Sequence, residues 1–494
     1  MENLKINKIE KFKDILIVVL VFNAILLLYF LWGSDTLESF MFHDEEPNYE
    51  VIGSEKVIIP NQIVLCRGND DYTLAYQRKE EIWTNYIIEA FKDFSQGENI
   101  IVEEITQEKY QAVMKYPSTI AVFEYSIPFS AFCDKYGIRQ PQGFDSISNM
   151  NQIGFSKGSM ESAFIFDGVK KKYYRLVGSK ELTIFTQVDN LVAEQGYTTY
   201  YTLKSLLGEE SHNETLVPLE LPAALVPVSY KIDAEIKQKE NVEAMAQEFF
   251  GETFDFVRKV EESNGKTIYM YGYGQKVLVI NPVDGSIEYK EESKYGIPET
   301  KSMFESLDIA LSFIGSHGGF QTFSGQQVKP YIERVVPLEE KKNGYRFEFS
   351  YLIGKNKLFY ENGKPIIIEI TDGQVSYFRR ELLTYDLVSA DKKSNKEGIS
   401  AINMLALNYE YIKFILIKEG HNSKEELEKA SFENIANKTQ SIYVGYLKRT
   451  SEAQNDSDSS QDAGLLLPVW AVELDNMTFY FDLYDGDPLG YYKQ

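Results

Sequence analysis

Positive charge is in short supply along this chain of 494 residues, where 51 Lys and Arg face 74 Asp and Glu for a formal charge of -23. Binding to phosphates needs a basic footprint, so this balance excludes a nucleic-acid partner and otherwise argues only for solubility. Cysteine is nearly missing. Cys66 and Cys133 are the only two, too few for a disulfide framework in a chain of this length, and one bond or two buried thiols are both open. Histidine is hardly commoner: none of His43, His212, His317 and His421 is spaced with a Cys or a second His as a zinc-ligand pair. Neither a metal nor another cofactor is expected. Long apolar runs are absent too, with one exception.

That exception is residues 15–32, "ILIVVLVFNAILLLYFLW", long enough to cross a bilayer core and interrupted only by Asn23. Lys5, Lys8, Lys11 and Lys13 precede it, while Asp35, Glu38, Asp44, Glu45 and Glu46 follow. The positive-inside rule then expects residues 1–14 as a cytoplasmic tail, 15–32 as a single transmembrane anchor, and everything beyond as extracytoplasmic at the cell membrane. A cleaved signal peptide is the rival reading, but "YFLWGSDTL" offers no convincing small-x-small cleavage site. Tyr29 and Trp32 fall at the outer aromatic belt, and Asn23 can hydrogen-bond a neighbouring membrane helix. These three are the candidate partner contacts.

The 44% hydrophobic content, with 34 Tyr and 31 Phe, predicts a folded, strand-rich remainder large enough for several domains. Residues 33–57 read as an acidic stalk. A strand in "NQIVLCRG" precedes a helix over 78–95, with Trp83, Ile87, Ala90 and Phe94 on one face. Strands in "ENIIVEEIT" and "STIAVFEYSIPF" follow, then a hairpin in "ESAFIFDGVKKKYYRLV" with Asp167 and Gly168 at its turn. Together 58–230 make one α+β domain, left through the proline-marked "LVPLELPAALVPVSY".

The rest repeats. "KVLVINPVDGSIEYK", "KPIIIEITDGQVSYF" and "MTFYFDLYDGDPLGYY" each carry an alternating run into an Asp-Gly pair: Asp284 and Gly285, Asp372 and Gly373, Asp485 and Gly486. A further strand precedes each, in "KTIYMYGYG", "YRFEFSYLI" and "LPVWAVEL", and an amphipathic helix precedes that. The expected fold class is therefore α+β, with about three helix-on-antiparallel-sheet units at 231–300, 301–390 and 391–494. Pairing edge to edge and packing in tandem are both open. Residues 450–464, "TSEAQNDSDSSQDAG", are expected to form a mobile loop in the third unit.

Three patterns invite chemistry. Asp482, Asp485 and Asp487 crowd one glycine as a calcium loop would, but the offsets are wrong and no Glu follows. The first sister loop has Asn281 and Ser286 where the third has Asp482 and Asp487. What all three share is a turn, with glycine at positive φ and Asp bonding its own backbone. "GFSKG" fits a nucleophile elbow at Ser156, yet "SISNMNQI" before it is too polar for the buried strand an elbow needs. "YMYGYGQK", with Gly272 and Gly274, lacks the third glycine and helix start of a phosphate loop and reads as a hairpin. "NET" at Asn213 is a glycosylation acceptor only in a eukaryotic secretory pathway. No catalytic residues emerge.

In their order along the chain, the lysine-flanked anchor, "PNQIVLCRGNDDYTLAYQRKEEIWTNYI", "STIAVFEYSIPFSAFCDKYG" and "LLPVWAVELDNMTFYFDLYDG" resemble the YycH family and its relative YycI. The last segment is also similar to the closing hairpin of PepSY-type domains. The resemblance implies a non-enzymatic, single-pass regulator of a sensor histidine kinase of low-GC Gram-positive bacteria. It further implies transmembrane and extracytoplasmic contacts, a possible second YycI-like regulator, and an output in cell-wall homeostasis. The alternative is an extracytoplasmic ligand or cell-wall binding module with no kinase partner.

Overall fold

Two β-sheets share the described part of the chain. The computed structural model describes residues 52–75, 78–182, 184–208, 211, 213–219, 225–292, 301–322, 325–338, 343–390, 396–420, 424–449 and 463–493. The expected cytoplasmic tail, the expected membrane segment with Asn23, Tyr29 and Trp32, most of the expected stalk and loop residues 450–462 lie outside them. Among the described residues no helix is long and apolar enough to cross a membrane.

The first sheet contains β1 (Gln62–Cys66), β2 (Tyr72–Leu74), β3 (Ile101–Ile105), β4 (Ser118–Pro128), β5 (Asn149–Ser156), β6 (Ser162–Asp167), β7 (Lys172–Val177), β8 (Tyr200–Thr202) and β9 (Leu216–Pro218). Its order is β3-β7-β6-β5-β4-β1-β2-β8-β9. Strict alternation along β4 buries Phe123 and Tyr125 beneath the helix of residues 79–95 and turns Ile120, Val122 and Glu124 to the other face. That helix opens with an α-turn at Lys79–Glu81 and widens to a π-helix at Ile82–Ile88, which buries Ile82, Trp83, Ile87 and Ile88 together. Trp83 meets the Phe123 ring edge-on at 5.2 Å.

Several expectations need correction here. The polar segment before Ser156 is a strand after all, β5. Its polar side chains are satisfied: Tyr110 donates to Gln152 Oε1, while Ser126 and the Gly168 amide donate to Asn151 Oδ1. Asp167 ends β6 opposite Lys172, and Gly168 opens the four-residue loop 168–171, whose left-handed position is Lys171, at φ 54°. The stalk is shorter than expected, because Ser54–Val57 is a helical turn with both end residues buried. The boundary at 230 falls inside a strand, β10 (Val228–Ile232), which already belongs to the second sheet. Ala463 and Gly464, assigned to the mobile loop, pair with Lys231 and Tyr230 as the start of β22. Cys66 and Cys133 are two free, buried thiols.

The second sheet is built from three meanders, each preceded by a helix. After the helix Lys239–Phe250 come β11 (Arg258–Glu261), β12 (Thr267–Tyr271), β13 (Lys276–Asn281) and β14 (Ser286–Glu291). Met303–Ser316 leads into β15 (Lys329–Pro337), β16 (Gly344–Ile353), β18 (Ile366–Thr371) and β19 (Gln374–Glu381), with β17 (Asn356–Tyr360) folding back on β16. After β20 (Leu383–Tyr385), Ala401–Lys418 introduces β21 (Thr439–Lys448), β22 (Ala463–Leu474), β23 (Met477–Asp482) and β24 (Pro488–Lys493). In each meander the Asp-Gly pair joins the third strand to the fourth.

Edge pairing decides how the units assemble. The fourth strands of the first two meanders, β14 and β19, pair antiparallel from Ser286 opposite Glu381 to Lys290 opposite Tyr377. The third meander joins through a parallel pair, β17 with β21. Gly445 makes that approach possible, since a Cβ there would lie 2.4 Å from the Lys357 carbonyl oxygen. One continuous apolar core then runs from the first sheet into the second, with Tyr136 edge-on to Phe304 at 6.4 Å.

Candidate functional site

The outward face of β4 is half-buried and turned toward β15, β17 and β21 of the second sheet. Glu124 sits in this seam, its carboxylate 2.5 Å from Lys357 Nζ on β17. Tyr443 on β21 donates its hydroxyl to the same oxygen, and its ring lies 3.8 Å below the Lys357 ammonium. Asn61 completes the set by donating to the other Glu124 oxygen at 2.9 Å while accepting from the Glu124 amide at 2.9 Å. Both charges of the pair are therefore hydrogen-bonded as well as matched, which a pair this far from water requires.

The pair divides two cavities. One, about 780 Å³, is lined by Glu124, and the other, about 910 Å³, by Lys357, while Tyr443 touches both. Around the first, Lys364 holds Glu333 at 2.7 Å and Arg346 holds Glu348 at 2.9 Å. Glu473 on β22 receives the Ser441 hydroxyl. Burial, reinforced by the charges of Glu124 and Glu333 against the pull of Lys357 and Ser441, pushes its carboxyl up to about 7. Burial also disfavours the Lys364 ammonium, but Glu333 outweighs it and raises that group. On the other side of the seam, burial and the Lys357 charge lower Lys79 to about 8, with its ammonium donating to the Asn61 carbonyl at 3.1 Å.

Asn213 of the "NET" motif lines the first cavity, whereas the Asp-Gly turns, Ser156 and the two cysteines line neither. Gly285, Gly373 and Gly486 occupy turns at φ 72°, 74° and 79°. Asp372, at φ 50°, and Gly373 form a two-residue hairpin loop between paired Thr371 and Gln374, the left-handed turn that suits a twisted hairpin. The first and third turns share one hydrogen-bond pattern. Asn281 Oδ1 accepts from the Val283 amide at 3.2 Å and Asp284 Oδ1 from Ser286 at 2.9 Å; Asp482 accepts from Tyr484 at 2.8 Å and Asp485 from Asp487 at 3.1 Å. Asp482 is thus occupied as the Asn281 amide oxygen is. Among the described residues no group of three His, Cys, Asp or Glu side chains is placed to hold a metal ion.

The Ser156 hydroxyl is buried, donates to the Val113 carbonyl at 2.6 Å and has no base beside it. The thiols are no more available: burial pushes Cys133 up to about 12 and raises Cys66. The seam can bind and can hold two sheets together.

No protein-family model matches the sequence, and no curated protein matches it. Solved structures do. The crystal structure of YycH from Bacillus subtilis superposes with a TM-score of 0.52 at 10% identity, over 86% of this chain and 96% of that one. The chain therefore has the YycH fold. An uncharacterized protein from Eubacterium rectale ATCC 33656 matches 54% of this chain and 85% of its own at 12% identity and a TM-score of 0.33. The Bacillus megaterium YpeB C-terminal domain matches 52% and 97% at 9% identity and a TM-score of 0.26.

Proposed function

With the YycH fold as the premise, we propose that this chain is a non-enzymatic regulator of a sensor histidine kinase, anchored in the cell membrane by residues 15–32 with its bulk extracytoplasmic. The supporting observation is that the YycH fold extends over 86% of a chain whose N-terminal apolar segment is flanked by lysines on one side and acids on the other. The kinase is biased by contacts that differ between its two signalling states, one of them the membrane helix at Asn23, Tyr29 and Trp32. A second regulator of YycI type is part of the same reading.

The test is co-purification of the kinase from native membranes together with a reporter of its output. Asn23→Leu, and exchange of residues 15–32 for an unrelated membrane helix, are expected to lower kinase recovery severalfold and to shift the reporter. If both versions bind and regulate as the parent does, the membrane-contact mechanism is wrong. A second reading, an extracytoplasmic ligand-binding module, is favoured by one observation: a cavity of about 780 Å³ between the sheets, in the size range of small-molecule sites.

A further inference from the structure

The cavity bounded by Glu124 has walls of two different kinds. From the first sheet and the helix Gln107–Met114 comes an aromatic panel, in which Tyr173 lies 4.7 Å from the Tyr110 ring and 4.6 Å from that of Phe166. From the second sheet come Glu333 on β15, Glu348 on β16 and Glu473 on β22. With Glu124 and Glu214 these make five carboxylates lining the space, against three cationic side chains, Lys115, Arg334 and Lys364. Lys357 and Arg346, outside this lining, pair with two of the five.

More telling is what two of these carboxylates leave undone. Glu348 is 4% exposed; Arg346 occupies its Oε1, and its Oε2 is buried without any hydrogen-bond partner. Glu333 repeats the pattern, with Oε1 on Lys364 and Oε2 buried and unpartnered. A carboxylate oxygen shut away from water without a donor costs free energy, and a donor brought in from outside recovers it. Two such oxygens, on side chains that line one cavity, suit a ligand that donates several hydrogen bonds and carries positive charge. An ammonium group does both, and aromatic faces opposite suit the apolar body behind it.

We propose that this cavity binds an organic cation, its ammonium meeting the unpartnered oxygens of Glu333 and Glu348 and its apolar body lying against Tyr110, Tyr173 and Phe166. This names the ligand class for the binding-module reading and rests on it, while needing nothing from the kinase. A failure here leaves the co-purification test untouched, and the reverse also holds.

The test is calorimetric titration of the full-length chain in lipid nanodiscs with two probes, phenethylammonium and spermidine, against the neutral 2-phenylethanol. At least one amine is expected to bind saturably, about tenfold or more tighter than the alcohol. Glu348→Gln and Glu333→Gln each lower amine affinity about tenfold while retaining the parent's thermal transition, and Tyr173→Ala weakens phenethylammonium more than spermidine. Should the glutamine variants fail to fold, the parent decides alone, since raising the salt must weaken the amine and spare the alcohol. The proposal is overturned if neither amine saturates, if the alcohol binds as tightly, or if folded Glu348→Gln binds amine as the parent does. Because the chain carries -23, unsaturable, salt-labile uptake that both variants share also overturns it.

Discussion

Lys357 Nζ lies 2.5 Å from Glu124 Oε1, and this one pair joins β17 of the second sheet to β4 of the first. Their side chains are only 12% and 18% exposed, so each charge depends on the other. Removing one partner strands its mate, whereas removing both need not. Glu124→Leu or Lys357→Met alone is expected to lower unfolding free energy by about 3 kcal/mol, and the double variant to recover most of it. A denaturant double-mutant cycle measures the coupling; additive losses would exclude it.

Glu473 gives the protein a pH signature. Its folded pKa of about 7 lies above the ordinary carboxylate value of 4.5, so the folded state holds a proton that the unfolded state has released. Stability from this group is complete below pH 4.5 and is lost as pH rises through about 7, by an amount of roughly 3 kcal/mol. Glu473→Gln removes the titration. Its melting temperature is expected to exceed the parent's most at pH 8 and to converge on it as pH falls toward 5, and a constant difference across that range would refute the assignment.

The Asp-Gly turns separate residues that matter from residues that only look alike. Gly373→Ala forces a side chain into the left-handed region and is expected to cost about 1–2 kcal/mol, while Asp372→Asn, which tolerates that region, changes little. Asp482→Asn is likewise expected to stay within about 0.5 kcal/mol, because Asn281 makes the same bond in the sister turn, while Asp482→Ala loses about 1 kcal/mol. Added calcium leaves the melting temperature unchanged. A calcium-dependent rise abolished by Asp482→Asn would restore the metal reading.

Both thiols are buried and both are raised in pKa by that burial. Native protein is therefore expected to leave a thiol reagent unreacted, and unfolded protein to titrate both cysteines without prior reduction. Reductant should not move the melting temperature. A shift of several degrees would reveal a bond the free thiols do not make.

The α+β class, the strands β1, β3 and β4, and a helix before each Asp-Gly strand pair were legible because apolar periodicity and turn chemistry are local. The first strand of each meander was not: β11 reads Arg-Lys-Val-Glu and is mostly exposed, so no alternation announces it. β5 was hidden for the opposite reason, since its polar side chains find partners only elsewhere in the fold, Gln152 on Tyr110 of the helix Gln107–Met114 and Asn151 on Ser126 of β4. The seam left one faint trace, a Glu within each of two apolar strands, "VFEYS" and "VWAVEL".

What the sequence determined by itself is the repeated unit, because glycine at a left-handed turn and an apolar stripe at helical spacing act within one short stretch of chain. The tertiary structure alone decided that β14 meets β19 edge to edge, that β17 takes β21 in parallel, and that Glu124 meets Lys357. Those are pairings between residues separated by up to 233 positions, as Glu124 and Lys357 are. Backbone hydrogen bonding and charge are indifferent to distance along the chain, so only closure of the whole fold selects which edges and which ions come together.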